Sequence, residues 1–144
     1  MTFLDAYALV ALMADEPAAE EVEAILRKGE TRVVIVNLAE AMDISQRVSG
    51  LPNEEVRTAL EPLLLSDTLA VAVSDEPEAW LAAELRSKHY DRKTCALSMA
   101  DCFLLAHGLT EDRSIATADP PLAAVARKEG LEVVALPDTA GSRP

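Results

Sequence analysis

Basic residues are scarce in this chain: 13 Lys and Arg stand against 25 Asp and Glu, a net charge of −12 over 144 residues. Such a chain repels an extended nucleic-acid backbone unless local bases or bound metal reverse the field, and it attracts a basic protein partner. Tight binding to long duplex DNA is thereby disfavoured; a small RNA target, or a loop presented in one place, is not. Cysteine is nearly absent. Cys95 and Cys102 are too few for the disulfide framework of a small secreted domain. No second Cys/His pair lies near them to complete a zinc pattern, so they read as buried apolar thiols. No apolar run approaches the roughly 20 residues that span a bilayer. No basic signal-like segment precedes Thr2-Phe3-Leu4-Asp5, so a cytoplasmic protein with no membrane partner is expected. Aromatics number only five, and the apolar half of the chain is mainly Ala, Leu and Val, which suits helices packed closely on a sheet.

The length allows one domain with a real core and is too short for two ordinary ones. Residues 2–5 read as a strand and 6–14 as an apolar helix. Pro17 opens a second helix, with Glu16, Glu20 and Glu21 in its first turn and Arg27 and Lys28 in its last, ending at Gly29. That polarity matches the helix dipole. Residues 32–36 (RVVIV) are β-branched and read as a buried strand. Asn37 is placed to cap the next helix, which runs to about Ser49 and stops at Gly50. Pro52 and Asn53 open a further helix that Pro62 should kink or break. Residues 69–73 read as a third strand. Residues 75–88 are helical, with Trp80, Leu81 and Leu85 on one face and Trp80 in the core. Residues 89–94 are loop-like, 98–109 helical and 113–117 a fourth strand. Asp119-Pro120-Pro121 opens a helix ending at Gly130, and 131–136 form a fifth strand. This alternation argues a mainly parallel sheet covered on both faces, a three-layer α/β/α domain over residues 1–136 with a tail at 137–144.

Four acids recur at the transitions. Asp5 ends the first strand, Glu40 follows the second, Asp101 lies in the first turn after Ser98, and Asp119 ends the fourth strand. Helix capping accounts for each of them taken singly. Taken together they describe a crevice, because an open α/β sheet builds its site outside the carboxyl ends of its strands. Crowded carboxylates repel one another and call for a divalent cation, and oxygen-only ligands select Mg²⁺ or Mn²⁺ over zinc. Capping and metal binding are compatible, since a helix N-terminus keeps a carboxylate ionised.

These stretches, Phe3-Leu4-Asp5-Ala6-Tyr7-Ala8-Leu9, Asn37-Leu38-Ala39-Glu40, Leu97-Ser98-Met99-Ala100-Asp101-Cys102 and Thr117-Ala118-Asp119, resemble in order and spacing the PIN-domain ribonucleases, especially VapC-type toxins of toxin–antitoxin pairs. The resemblance covers residues 2–136. It implies a PIN-like fold with a five-stranded sheet of order 3-2-1-4-5 and metal-dependent cleavage of RNA that leaves a 5′-phosphate and a 3′-hydroxyl. It implies Asp5, Glu40, Asp101 and Asp119 as the acidic quartet, with Asp5, Asp101 and Asp119 on the metal and Glu40 orienting or deprotonating a water. Asn37 and Thr117 fall where the family often has a small polar residue supporting the acids. A homodimer and a cognate antitoxin are implied as well. Pro120-Pro121 departs from the family, where polar residues and an aromatic often follow the last acid.

Arg86, Lys88, Arg92 and Lys93 form the densest basic patch and are the candidates for RNA contact, with a solvated loop as the plainer account. Arg47 and Arg57 are weaker candidates. His107, inside an apolar helix, reads as a satisfied core or interface residue rather than a base, and His89 as exposed. No Ser/His/Asp order or glycine-rich phosphate loop is present. A haloacid-dehalogenase-type phosphatase would need a second aspartate two residues after Asp5, where Tyr7 stands. An inactive PIN-like binding module, or an RNA-processing nuclease without an antitoxin, stays open beside the toxin.

Overall fold

In the computed structural model, which describes residues 1–144, five short strands form one sheet: β1 (Thr2–Leu4), β2 (Thr31–Val34), β3 (Leu69–Ala72), β4 (Ser114–Thr117) and β5 (Val133–Ala135). All pair in parallel in the order β3-β2-β1-β4-β5, the expected topology. Seven helices connect them: α1 (Ala6–Ala14), α2 (Ala19–Lys28), α3 (Ile35–Arg47), α4 (Asn53–Leu65), α5 (Glu76–His89), α6 (Met99–Glu111) and α7 (Pro120–Lys128). No helix is long and apolar enough to cross a membrane.

Alternation along each strand divides the interior into two cores. Leu4, Val33, Leu69 and Ala116 pack with α1, α2, α3 and α4 on one face. Their neighbours Phe3, Val34, Ala72 and Ile115 pack with α5, α6 and α7 on the other. Both faces are therefore covered, as a parallel sheet requires. On the second face α6 lies very close to the sheet. A Cβ on Gly108 would sit 3.1 Å from Leu131 Cδ1 and 3.2 Å from Ile115 Cδ1.

Several expectations are corrected. The β-branched run ends as strand at Val34, and Ile35 and Val36 already belong to α3, with Val34 as its N-cap. The ladder sets this limit: Val34 pairs with Ala72, the last residue of β3. Asn37 is therefore not a cap but the third helical residue, and Glu40 lies in the second turn. Helix α2 begins at Ala19 rather than at Pro17. Pro62 does not end α4, which continues to Leu65. Thr58 and Pro62 are both exposed, so the carbonyl that loses its donor faces water. Trp80 is not in the core. It is 71% exposed, and its indole N–H donates to Glu76 one turn back. His89 is largely covered rather than exposed, its side chain 10% accessible against Glu129. His107 is buried and satisfied, bonded to Ser74 at 2.9 Å and Glu111 at 3.4 Å.

Residues 137–144 pack back on the domain. Tyr7 donates its phenolic hydrogen to the Pro137 carbonyl (3.1 Å), and Arg143 pairs with Glu21 and donates to the Ala135 carbonyl (2.6 Å).

Candidate active site

The central strand β1 is flanked by β2 on one side and β4 on the other, and the crossovers leave it in opposite directions. The crevice therefore opens at its carboxyl end. Asp5 follows β1 directly, Asp119 follows β4, Glu40 descends from β2 through α3, and Asp101 lies in the first turn of α6. All four line one cavity of about 260 Å³, with Tyr7, Ile44 and Ser98 among its other walls. No lysine, arginine or histidine lines it.

Three of the acids are fixed by the helix ends they cap. Asp5 Oδ1 accepts from the Ala8 N–H at 2.7 Å, and Asp119 Oδ2 from the Leu122 N–H at 3.0 Å. Ser98 and Asp101 form a reciprocal capping box. The Asp101 N–H donates to Ser98 Oγ at 3.0 Å and the Ser98 N–H to Asp101 Oδ2 at 2.9 Å. Each carboxylate keeps one oxygen outside these bonds. The capping account and the crevice account thus hold together at all three positions. Pro120 and Pro121 occupy the first turn of α7 without displacing the Asp119 cap.

Electrostatics record the crowding. Asp5 is 4% exposed. Burial pushes its carboxyl up to about 7; the Thr117 hydroxyl and the Ala8 N–H oppose this, and Asp101 and Asp119 add to it. Asp101 is raised, first by burial and also by Asp119, against the bonds from Ser98. Glu40 is raised by burial, then by Asp101 and Asp43.

The other expected residues divide. The Thr117 hydroxyl accepts from the Asp119 N–H at 2.9 Å. Asn37 is fully buried between α3 and α6; its amide nitrogen reaches the Ala100 carbonyl at 3.4 Å and its Oδ1 has no partner. The basic patch is not gathered at the cavity. Arg86 donates to the Leu97 carbonyl at 3.1 Å and stacks over Tyr90, Lys88 pairs with Glu129 at 2.7 Å, and Arg92 and Lys93 are exposed in the loop. Tyr7 and Ser98 line the cavity and were not singled out as site residues. Ser98 showed itself only as a cap, and Tyr7 only as one more residue of an apolar helix.

As they stand, no three acid, histidine or cysteine side chains converge as a ready metal site. The donor set nonetheless fits a hard divalent cation: all oxygen, with Asp5, Glu40 and Asp101 raised first by burial and further by neighbouring carboxylates, and without a basic neighbour in the cavity.

A PIN-domain family model matches residues 2–135. No curated protein matches the chain in sequence. Among solved structures, the chain is similar to the Mycobacterium tuberculosis toxin VapC20, described as cleaving the sarcin-ricin loop (16% identity, all of both chains, TM-score 0.72). It is similar to a chain of FitAcB from Neisseria gonorrhoeae (20% identity, 92% of this chain and 96% of that one, TM-score 0.63). It is also similar to a chain of VapBC2 from Rickettsia felis, solved with a DNA fragment from its promoter (13% identity, 92% and 96%, TM-score 0.66). At these identities the likeness is one of fold.

Proposed function

The chain belongs to the PIN-domain family, and from that premise we propose that it is a divalent-metal-dependent endoribonuclease, the toxin of a toxin–antitoxin pair. The observation that carries the reading is the placement of Asp5, Glu40, Asp101 and Asp119 on one cavity with no basic counter-charge. PIN nucleases generally depend on divalent metal. Similarity to an RNA-cleaving toxin and to VapBC2 supports the substrate class and the antitoxin partner. The −12 charge suits a basic antitoxin. A homodimer and a cytoplasmic setting belong to the same reading.

Asp5, Asp101 and Asp119 would hold Mg²⁺ or Mn²⁺ through the oxygens their capping bonds leave over. When bound, the cation supplies Lewis-acid charge at the scissile phosphate and the attacking water. Glu40, raised by burial and by Asp101, takes the proton from that water; a base held nearer neutrality is better matched to the task. Ser98 holds Asp101 in place and Thr117 holds the backbone of Asp119. Asn37 ties the Glu40 helix to the Asp101 helix.

RNA cleavage by the purified protein in Mg²⁺, Mn²⁺ or EDTA, run beside Asp101→Asn, tests the reading. Cleavage that requires metal, leaves 5′-phosphate ends and falls by about 100-fold or more in the variant is expected. Cleavage that persists equally in EDTA, or in both proteins, would refute it and leave the binding module.

A further inference from the structure

A second recess, of about 310 Å³, adjoins the acidic cavity and is lined by Tyr7, Ala118, Asp119, Pro120, Asp138 and Thr139. Tyr7 and Asp119 line both, so whatever occupies one reaches the edge of the other. Its volume is at the lower end of the roughly 300–1,000 Å³ of small-ligand sites.

The outer wall of the recess is fixed. Asp138 Oδ1 accepts from the Ala140 and Ser142 N–H groups at 2.9 and 2.8 Å, and the Asp138 N–H donates to the Ser142 carbonyl at 2.8 Å. Tyr7 anchors the segment at Pro137, and the Leu136 N–H donates to the Thr117 carbonyl at 2.9 Å. Arg143 fastens the far end to Glu21. A wall held from both ends is pre-organised for binding.

The lining decides what fits. Two carboxylates and no basic side chain face the occupant, so a phosphate is repelled and the part of an RNA that remains is a base with its ribose. Tyr7 and Pro120 offer flat apolar surface. Asp138 Oδ2 and the Thr139 hydroxyl make no hydrogen bond within the protein, and Thr139 is exposed, which leaves both free to meet an occupant. A carboxylate oxygen favours an edge that presents donors side by side. Guanine presents its N1–H next to its amino group. Adenine and cytosine set an acceptor beside their amine, and uracil sets one N–H between two carbonyls.

We infer that this recess is a nucleobase subsite of the proposed nuclease, seating a guanine next to the scissile phosphate, with Asp138 as the residue that selects it. The inference rests on the nuclease reading for its substrate.

The test begins without metal or cleavage. The full chain in EDTA is titrated with guanosine, adenosine, cytidine and uridine, and backbone amide shifts are followed by NMR. Guanosine should bind tightest and shift Tyr7, Thr139 and Ala140. Asp138→Asn keeps an acceptor for Ala140 and Ser142 and should raise the guanosine Kd by about tenfold, the worth of one charge-assisted hydrogen bond, with the uridine Kd unchanged. In Mn²⁺, replacing the guanosine beside the cleaved bond by inosine, which lacks the amino group, should lower kcat/KM in the wild type and not in Asp138→Asn. Four nucleosides binding alike, or shifts confined to other residues, would overturn the inference, and the wild-type ranking needs no variant to show it. If no oligonucleotide is cleaved in any metal while guanosine still ranks first at these residues, the nuclease reading fails and the base preference stands.

Discussion

Replacing Asp5 by asparagine should stabilise the metal-free protein, although Asp5 is buried and caps α1. Burial holds the folded-state carboxyl at about 7 against 3.8 in the unfolded chain. Between those values the folded state binds more protons than the unfolded state, so stability falls as pH rises. At about 1.36 kcal/mol per pH unit, the span from 3.8 to about 7 costs the folded state about 4 kcal/mol once pH passes 7. Asparagine never ionises, and its side-chain oxygen can still accept from the Ala8 N–H. Asp5→Asn in EDTA should therefore gain up to about 4 kcal/mol at pH 8, and the gain should shrink steadily towards pH 4. Urea unfolding at pH 4, 6 and 8 in EDTA, followed by far-UV circular dichroism, reads this directly. Adding Mn²⁺ at pH 8 should stabilise the wild type more than the variant, because a bound cation removes the same penalty. An Asp5→Asn protein no more stable than wild type at pH 8, or a gain independent of pH, would refute the reasoning.

Trp80→Ala should change stability by no more than about 0.5 kcal/mol in thermal unfolding, since the side chain is 71% exposed, whereas Leu105→Ala, on the fully buried face of α6, should cost about 2–5 kcal/mol. The Glu129 carboxyl is held below its usual range by the hydrogen bonds from Lys88 and then His89. Its contribution is present above the unfolded value of 4.5 and is lost as pH falls through the lowered folded-state value, so Glu129→Gln should cost about 1 kcal/mol at pH 7 and progressively less as pH falls below 4.5 in denaturant titrations. Asn37→Leu removes a buried oxygen that has no partner; stability should stay within about 1 kcal/mol of wild type while the metal-dependent cleavage rate falls, and a variant equally active would deny Asn37 any supporting part.

Much of the fold was legible because local and global signals agree in it. Helix α1 begins and ends where its apolar run does, and the Ser98–Asp101 and Asp119 caps were readable as short-range chemistry. The strand order came from family resemblance, since no local signal says which strands are neighbours. The start of α3 was misread because Ile35 and Val36 favour extended chain, whereas the length of β2 is set by the partner that runs out at Ala72. Trp80 was misread for a similar reason: hydrophobicity placed it inside, but the buried residues of its helix are Ala82 and Leu85. The acids were visible one by one; that they share a cavity is a fact of topology. Tyr7 and Asp138 carry no signal in sequence, because the recess between them joins residues more than a hundred positions apart.

The middle strand of the sheet is encoded first. Thr2 in β1 pairs with Ser114 in β4, 112 positions downstream, and Asp119 lies further on. During synthesis, at roughly 5–20 residues per second, about 6–20 s separate the two halves of the crevice. Asp5 therefore waits on the ribosome without its neighbours, and the acidic cavity of a nascent chain stays incomplete until its last third has emerged.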